Sequence, residues 1–354
     1  MNKTVRKMAT TILLVCSVLL TTACGRTTEN YDANGEMQRK ETEKISYKVY
    51  EKPTYALDEN MLTMFLFSHG DLPEYLFKMK ASKNIEYHSS KMQPDGTWES
   101  GKVNWNDSFA DMEKRELQCM LSDSKGNLYG IAMDEKGTNC DLYRIGSDGT
   151  IEMLNTDSAK KKFKNKVLYT IAYVTDSKLI LTFSEPDDMI GENVSAIEYD
   201  LIAEKVIGDT GKVRDSLATF DENGLYYYPV PGANVEDGVI LAKSIYSSNP
   251  EKTIKCKYLL NSHTQILVKD GFGYIMTRWG ICGGRLDDKE WDIVIPVEEM
   301  YIPKCFTNEE QAIMPSDAIM CMVKTSGDDR EFFCMTWKDE KHDDFSWVHY
   351  YDEK

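Results

Sequence analysis

Residues 121–154 read LSDSKGNLYGIAMDEKGTNCDLYRIGSDGTIEML, and the reading of this stretch decides the fold. Asp123 to Gly126 makes a turn into a strand over 127–132, and Gly137 opens the next turn. A second strand follows over 142–145, and Ser147-Asp148-Gly149 turns into a third at Ile151. Aspartate and glycine supply the positive-φ corners of tight hairpins, and the runs between them are too short for helices.

Looser copies of this unit recur outward along the chain. Turns ending near Asn60, Asn127, Lys178, Gly224, Gly273 and Ala318 are each followed by an apolar run, from 61–67 in the first copy to 319–323 in the last. After a longer first interval they are spaced by roughly 45–50 residues, the length of one four-stranded propeller blade. Second strands are expected at 75–78, 142–145, 196–199, 240–245 and 332–337. The expected fold is all-β: a β-propeller of six blades, with seven as the second choice. Stacking neighbouring sheets around a ring buries the faces that each would otherwise expose. Two segments carry a helical pattern, 107–117 and 155–166, with Asp107 and Asn155 or Thr156 as first-turn caps.

Asp123-Ser-Lys-Gly-Asn-Leu-Tyr129, followed by Leu142-Tyr-Arg-Ile145 and Asp148-Gly-Thr-Ile151, resembles one blade of the NHL and gluconolactonase-like propellers of bacteria. The resemblance covers about thirty residues. The paired Gly-His and Trp-Asp signature of WD40 repeats is absent, and Gly283-Gly284 with Trp291 makes a poor kelch repeat.

The N-terminus reads as a processed segment. Lys3, Arg6 and Lys7 form a basic region, residues 12–20 an apolar one, and Thr21-Thr22-Ala23 a small-residue approach to Cys24. The stretch resembles a bacterial lipoprotein signal, which implies cleavage after residue 23, acylation of Cys24 and anchorage of the mature chain to the cell membrane. A lipobox carries leucine three residues before the cysteine; here that place is Thr21 and the leucine is Leu20, so an ordinary secretory signal or an uncleaved anchor stays open. The expected domains are a signal peptide over 1–23, a polar tether over 24–54 and the propeller over 55–354. All three readings place the body of the protein outside the cytoplasm.

The 58 acidic residues exceed the 42 lysines and arginines, for a net charge of −16. That field repels nucleic acid and anionic lipid surfaces, which are therefore not expected partners. Of nine cysteines, seven remain once Cys16 and Cys24 are set aside. They lie singly at wide spacing with no Cys-x-x-Cys, so neither a zinc site nor a disulfide framework is indicated, and most are expected to be buried strand residues.

No motif anchors catalysis. Asp95-Gly96-Thr97-Trp98 is similar to a sialidase Asp-box but lacks the spacer residue and occurs once. The acidic pairs Asp187-Asp188, Asp287-Asp288, Asp328-Asp329 and Asp343-Asp344 lack the alternation of a calcium loop, and the five histidines include no two at metal-ligand spacing. No nucleophile elbow or phosphate-binding glycine loop is present. The most unusual segment is 271–288, GFGYIMTRWGICGGRLDD, which surrounds Arg278 and Trp279 with glycines. Glycine permits close backbone approach, and tryptophan and arginine dominate binding hot spots. Arg278, Trp279, Trp98 and Tyr227 are accordingly the candidate ligand-binding residues, with no metal and no cofactor. The sequence points to a membrane-anchored binding or scaffolding module for a glycan, a peptide or an envelope protein, without catalysis of its own. A hydrolase or lyase with its site in the channel is the alternative.

Overall fold

The computed structural model describes residues 45–69, 72–82, 84–103, 116–134, 140–185, 194–214, 219–234, 237–257, 259, 266–277, 279–303, 320–324, 331–338 and 344–352. The signal segment, Cys24, the turn at Gly137, Arg278 and most of the helical pattern at 107–117 lie outside them. Leu117 falls in a strand.

Among the described residues the strands fall into six four-stranded antiparallel units in chain order. The first holds β2 (Met61–His69), β3 (Leu72–Ala81), β4 (Asn84–Met92) and β5 (Trp98–Lys102). The second holds β6 (Glu116–Ser122), β7 (Leu128–Met133), β8 (Cys140–Ile145) and β9 (Ile151–Leu154). The third holds β10 (Val167–Val174), β11 (Lys178–Ser184), β12 (Val194–Asp200) and β13 (Lys205–Val213). The fourth runs from β14 (Thr219–Phe220) through β15 (Leu225–Val230) and β16 (Val239–Ser244) to β17 (Lys252–Cys256). The fifth runs from β18 (Ile266–Lys269) through β19 (Phe272–Thr277) and β20 (Gly280–Arg285) to β21 (Glu290–Pro296). A short parallel pairing of β17 with β21, Lys255 with Glu290 and Cys256 with Trp291, ties these two units together.

The last unit joins the chain's ends. β22 (Met320–Lys324), β23 (Glu331–Trp337) and β24 (Phe345–Asp352) are completed by β1 (Ile45–Glu51), which pairs along its whole length from Ile45–Asp352 to Glu51–Ser346. The stretch read as tether over 24–54 therefore contains a structural strand. Its exposed charged residues made it read as linker, yet Ile45 is 5% exposed and packs into the core of the last unit.

Alternation along the second strand of each unit closes the ring. In β3, Tyr75 and Phe77 pack toward the last unit while Leu76 packs toward the second. In β11, Leu179 and Leu181 face the second unit and Ile180 the fourth. In β23, Phe332 and Cys334 face the fifth unit, whereas Phe333 and Met335 face the first. Six apolar clusters fill the six junctions between neighbours, the last unit meeting the first. A strand has period two, so a strand buried on both faces must sit between two sheets. The molecule is a β-propeller, and the units are its blades.

The turns behave as their residues require. Gly96, Gly126 and Gly149 all take positive φ, and Asp95 and Asp148 accept hydrogen bonds from the N–H groups two residues on. The helical segment reduces to one short helix, α1 (Asp157–Lys162), wedged between the second and third blades. Asn155 accepts from the Asp157 N–H at 2.9 Å, while the Thr156 side chain makes no capping bond. Phe163 closes the wedge against Phe183, ring centroids 4.6 Å apart.

One correction concerns register. The apolar runs aligned in the sequence are second strands in blades two to five but first strands in blades one and six, where β3 and β23 occupy the second place. An apolar run after a turn marks a buried strand without fixing its rank, and the sequence frame assigned no strand to residues 45–51.

Candidate functional site

The sequence candidates lie on separate blades. Trp98 is in the outer strand of blade one, where its indole N–H donates to the Glu51 carbonyl at 2.8 Å and its ring tilts against Tyr75. It helps to seal the junction with the last blade. Trp279 occupies the turn between β19 and β20 in blade five and is half-buried, its N–H donating to Thr277 Oγ1 at 3.2 Å. Tyr227 is 1% exposed in blade four, facing blade five. The described members of the set are not brought together.

The glycines around Trp279 serve a different tryptophan. A Cβ on Gly273 would stand 2.3 Å from the ring of Trp291, and a Cβ on Gly283 would stand 2.1 Å from the ring of Tyr274. Trp291 is 1% exposed and donates its indole N–H to the Arg285 carbonyl at 3.0 Å. The cluster of glycines thus makes room for large rings packed flat on the sheet.

Tyr227 also belongs to a repeated device. Asp221 Oδ1 accepts from the N–H groups of Asn223 and Leu225, and its Oδ2 accepts from the Tyr227 hydroxyl at 3.0 Å. Asp123 does the same in blade two, with Lys125, Asn127 and, at 3.1 Å, Tyr129. An aspartate at the turn thereby pins the tyrosine six residues on. Burial and the adjoining carboxylate push the Tyr129 hydroxyl up to about 12.

The opposite face of blade four carries an arrangement that no motif in the sequence announced. Tyr226 and Tyr228 flank Tyr227 on β15 and turn toward blade three; Tyr226 meets Phe220 of β14, which stacks on Tyr173 of β10 in blade three. Lys243 of β16 stands in register with Tyr226. Its Nζ lies 5.6 Å from the centre of the Tyr226 ring and 5.9 Å from that of Tyr228. Arg214, just past β13, places its guanidinium 5.0 Å from the centre of the Tyr228 ring. Desolvation lowers the Lys243 pKa, and the Arg214 charge lowers it further. The Tyr226 hydroxyl is fully buried, closes no hydrogen bond among the described residues, and burial raises its pKa. These side chains make a small cationic patch backed by aromatic rings.

Two histidines mark the junction of the last and first blades. His349 stacks on Phe333 with centroids 4.3 Å apart, and His88 meets Tyr55 at 4.5 Å. Each has a glutamate nearby, Glu331 at 3.6 Å and Glu86 at 3.4 Å respectively. Burial holds the His349 pKa below the ordinary imidazole value. No group of three or more metal-ligating side chains occurs among the described residues. Cys140, Cys256, Cys282 and Cys334 are buried and form no disulfide among the described residues, in keeping with a packing role.

No protein-family model matches this chain, and no match was found among curated proteins. Solved structures similar to it include the β-propeller domain of the Trilobed protease from Pyrococcus furiosus, at 10% identity and TM-score 0.40, covering 78% of each chain. Pyrococcus horikoshii acylaminoacyl peptidase is similar at 10% identity and TM-score 0.40 over 84% of this chain and 52% of its own. The N-terminal domain of Nup159 is similar at 10% identity and TM-score 0.39 over 81% of this chain and 75% of its own. The propeller assignment rests on strand order and ring closure, not on these likenesses.

Proposed function

We propose that this chain is a lipoprotein whose propeller binds a ligand outside the cytoplasm without acting on it chemically. Anchorage through Cys24 is supported by the basic, apolar and small-residue succession that precedes it. Kinship with NHL and gluconolactonase-like propellers is supported by the Asp123 turn and by its second copy at Asp221. The ligand class is a glycan, a peptide or an envelope protein.

The observation that carries the binding reading is the patch at Arg214 and Lys243. Two cations held over tyrosine rings, with no carboxylate in ion-pair contact among the described residues, are costly in a free protein and useful in a liganded one. Several charges elsewhere are matched, Lys160 with Asp141, Lys178 with Glu198 and Arg285 with Asp287, and Lys48, over the Tyr351 ring, stands alone among the described residues rather than beside a second cation.

The experiment is a thermal-shift screen of the full chain in detergent against glycans, cell-wall fragments and peptides. A ligand at a hundred times its dissociation constant adds about 2.7 kcal/mol of stability. A reproducible shift with one class supports a binding module, and turnover of that ligand would overturn the non-catalytic reading. Anchorage is checked separately: Cys24→Ala should move the protein from the membrane to the soluble fraction, and unchanged retention would reject the lipid anchor.

A further inference from the structure

We propose that Arg214 and Lys243 form a receptor for one oxyanion of the ligand, a carboxylate, phosphate or sulfate, held between blades three and four. The proposal rests on the binding reading above and names the chemistry that the site takes.

Charge supports it first. Of the three described arginines, Arg144 and Arg285 each pair with a carboxylate, Glu152 and Asp287, whereas Arg214 lies over the face of Tyr228 with no carboxylate in ion-pair contact among the described residues. Lys243 likewise has no carboxylate in ion-pair contact among the described residues, although its chain carries far more acids than bases. Instead of a counter-ion, each cation has the other as neighbour; the Lys243 pKa is lowered first by desolvation and then by the Arg214 charge. An arriving anion relieves that repulsion and replaces lost solvation, so it binds more strongly than at either cation alone. Guanidinium supplies a planar fork of donors and ammonium a point charge, a pairing suited to an oxyanion and ill suited to a neutral sugar.

The second observation is independent of charge. Tyr226 is wholly buried, yet its hydroxyl has no hydrogen-bond partner among the described residues. It lies beside the backbone N–H of Arg214 without closing a bond to it. Two strand positions away, Tyr228 is also buried, whereas Arg214 and Lys243 are half-buried and within reach of solvent. A buried hydroxyl left open costs stability and is rare unless something else completes it. The aromatic floor of Phe220 and Tyr173 lowers the local dielectric and strengthens each ionic contact made above it.

The test titrates the full-length protein with glucuronate, inorganic phosphate and sulfate, with glucose as the neutral control, followed by calorimetry and thermal shift. Wild type should bind at least one anion and ignore glucose. Arg214→Gln with Lys243→Gln should weaken that binding by about tenfold or more, while Arg214→Lys, which keeps the charge but loses the fork, should weaken it by less. Preference for glucuronate would assign the ligand to carboxylated sugars or acidic peptides, and preference for phosphate or sulfate to phosphorylated or sulfated ones. Urea unfolding without ligand shows whether the variants fold; should the double variant not fold, Lys243→Met alone is titrated and should show the loss. Equal anion binding by wild type and a folded variant would overturn the proposal, as would no anion binding by wild type. If a ligand from the broader screen binds wild type and the double variant equally, the oxyanion site falls while the binding module stands.

Discussion

Three consecutive tyrosines on one strand separate two kinds of protein surface. Tyr227 faces blade five, where Asp221 accepts its hydroxyl and Trp291, Cys256 and Cys282 surround it in a cluster of buried residues. Tyr226 and Tyr228 face blade three, where one hydroxyl is left open and two cations lie over the rings. The first face satisfies itself, and the second is left incomplete. A fold tolerates an incomplete face only where the rest of the molecule supplies the stability.

The comparison can be broken from the closed side. Gly273→Ala forces a methyl into the Trp291 ring at 2.3 Å, with Leu286 at 3.1 Å, and should cost about 3 kcal/mol, read from the urea midpoint. Asp221→Ala strips partners from the Tyr227 hydroxyl and from two turn N–H groups, for an expected loss of about 2–3 kcal/mol. A loss below about 0.5 kcal/mol in either would show that the closed face is not closed.

A smaller effect comes from the histidine junction, which serves as a reference away from both faces. The His349 pKa is lowered chiefly by burial, with Glu331 opposing. The unfolded chain takes up its proton near pH 6.5 while the folded chain resists. This contribution is therefore fully present above about pH 6.5 and is lost as pH falls from there toward the folded value. His349→Gln should flatten that part of the stability–pH curve, and an unchanged slope would remove His349 as its source. The smallest effect is expected on the open side. Lys243→Met removes a desolvated, repelled charge and should leave stability unchanged or raise it by a few tenths of a kcal/mol.

Much of this architecture was legible in the residues. The Asp-Gly corners at Gly96 and Gly149 and the buried runs of β7, β11, β15 and β19 follow from local pattern, because turn chemistry and period-two burial are local properties. Closure by β1 was not legible, since its partner β24 lies at the other end of the chain and its sequence, ISYKVYE, has the charge of a linker. The glycines of 271–288 suggested a ligand because glycine marks close approach of any kind; the approaching groups are Trp291 and Tyr274. The Arg214 and Lys243 patch was hidden for the converse reason. Its members occupy ordinary strand positions on different blades, and only packing brings them together. The Asp221–Tyr227 strut is an intermediate case: its spacing repeats that of Asp123–Tyr129 and could have been found by aligning the two turns.

The measurement that bears most directly on this account is the urea stability of Tyr227→Phe beside that of Tyr226→Phe. The two substitutions remove the same atom from adjacent residues of one strand. The account predicts a loss of about 1–2 kcal/mol at Tyr227, where the hydroxyl is bonded, and no loss or a slight gain at Tyr226, where it is not. Equal losses at both positions would contradict it, because the two faces of blade four would then be equally complete.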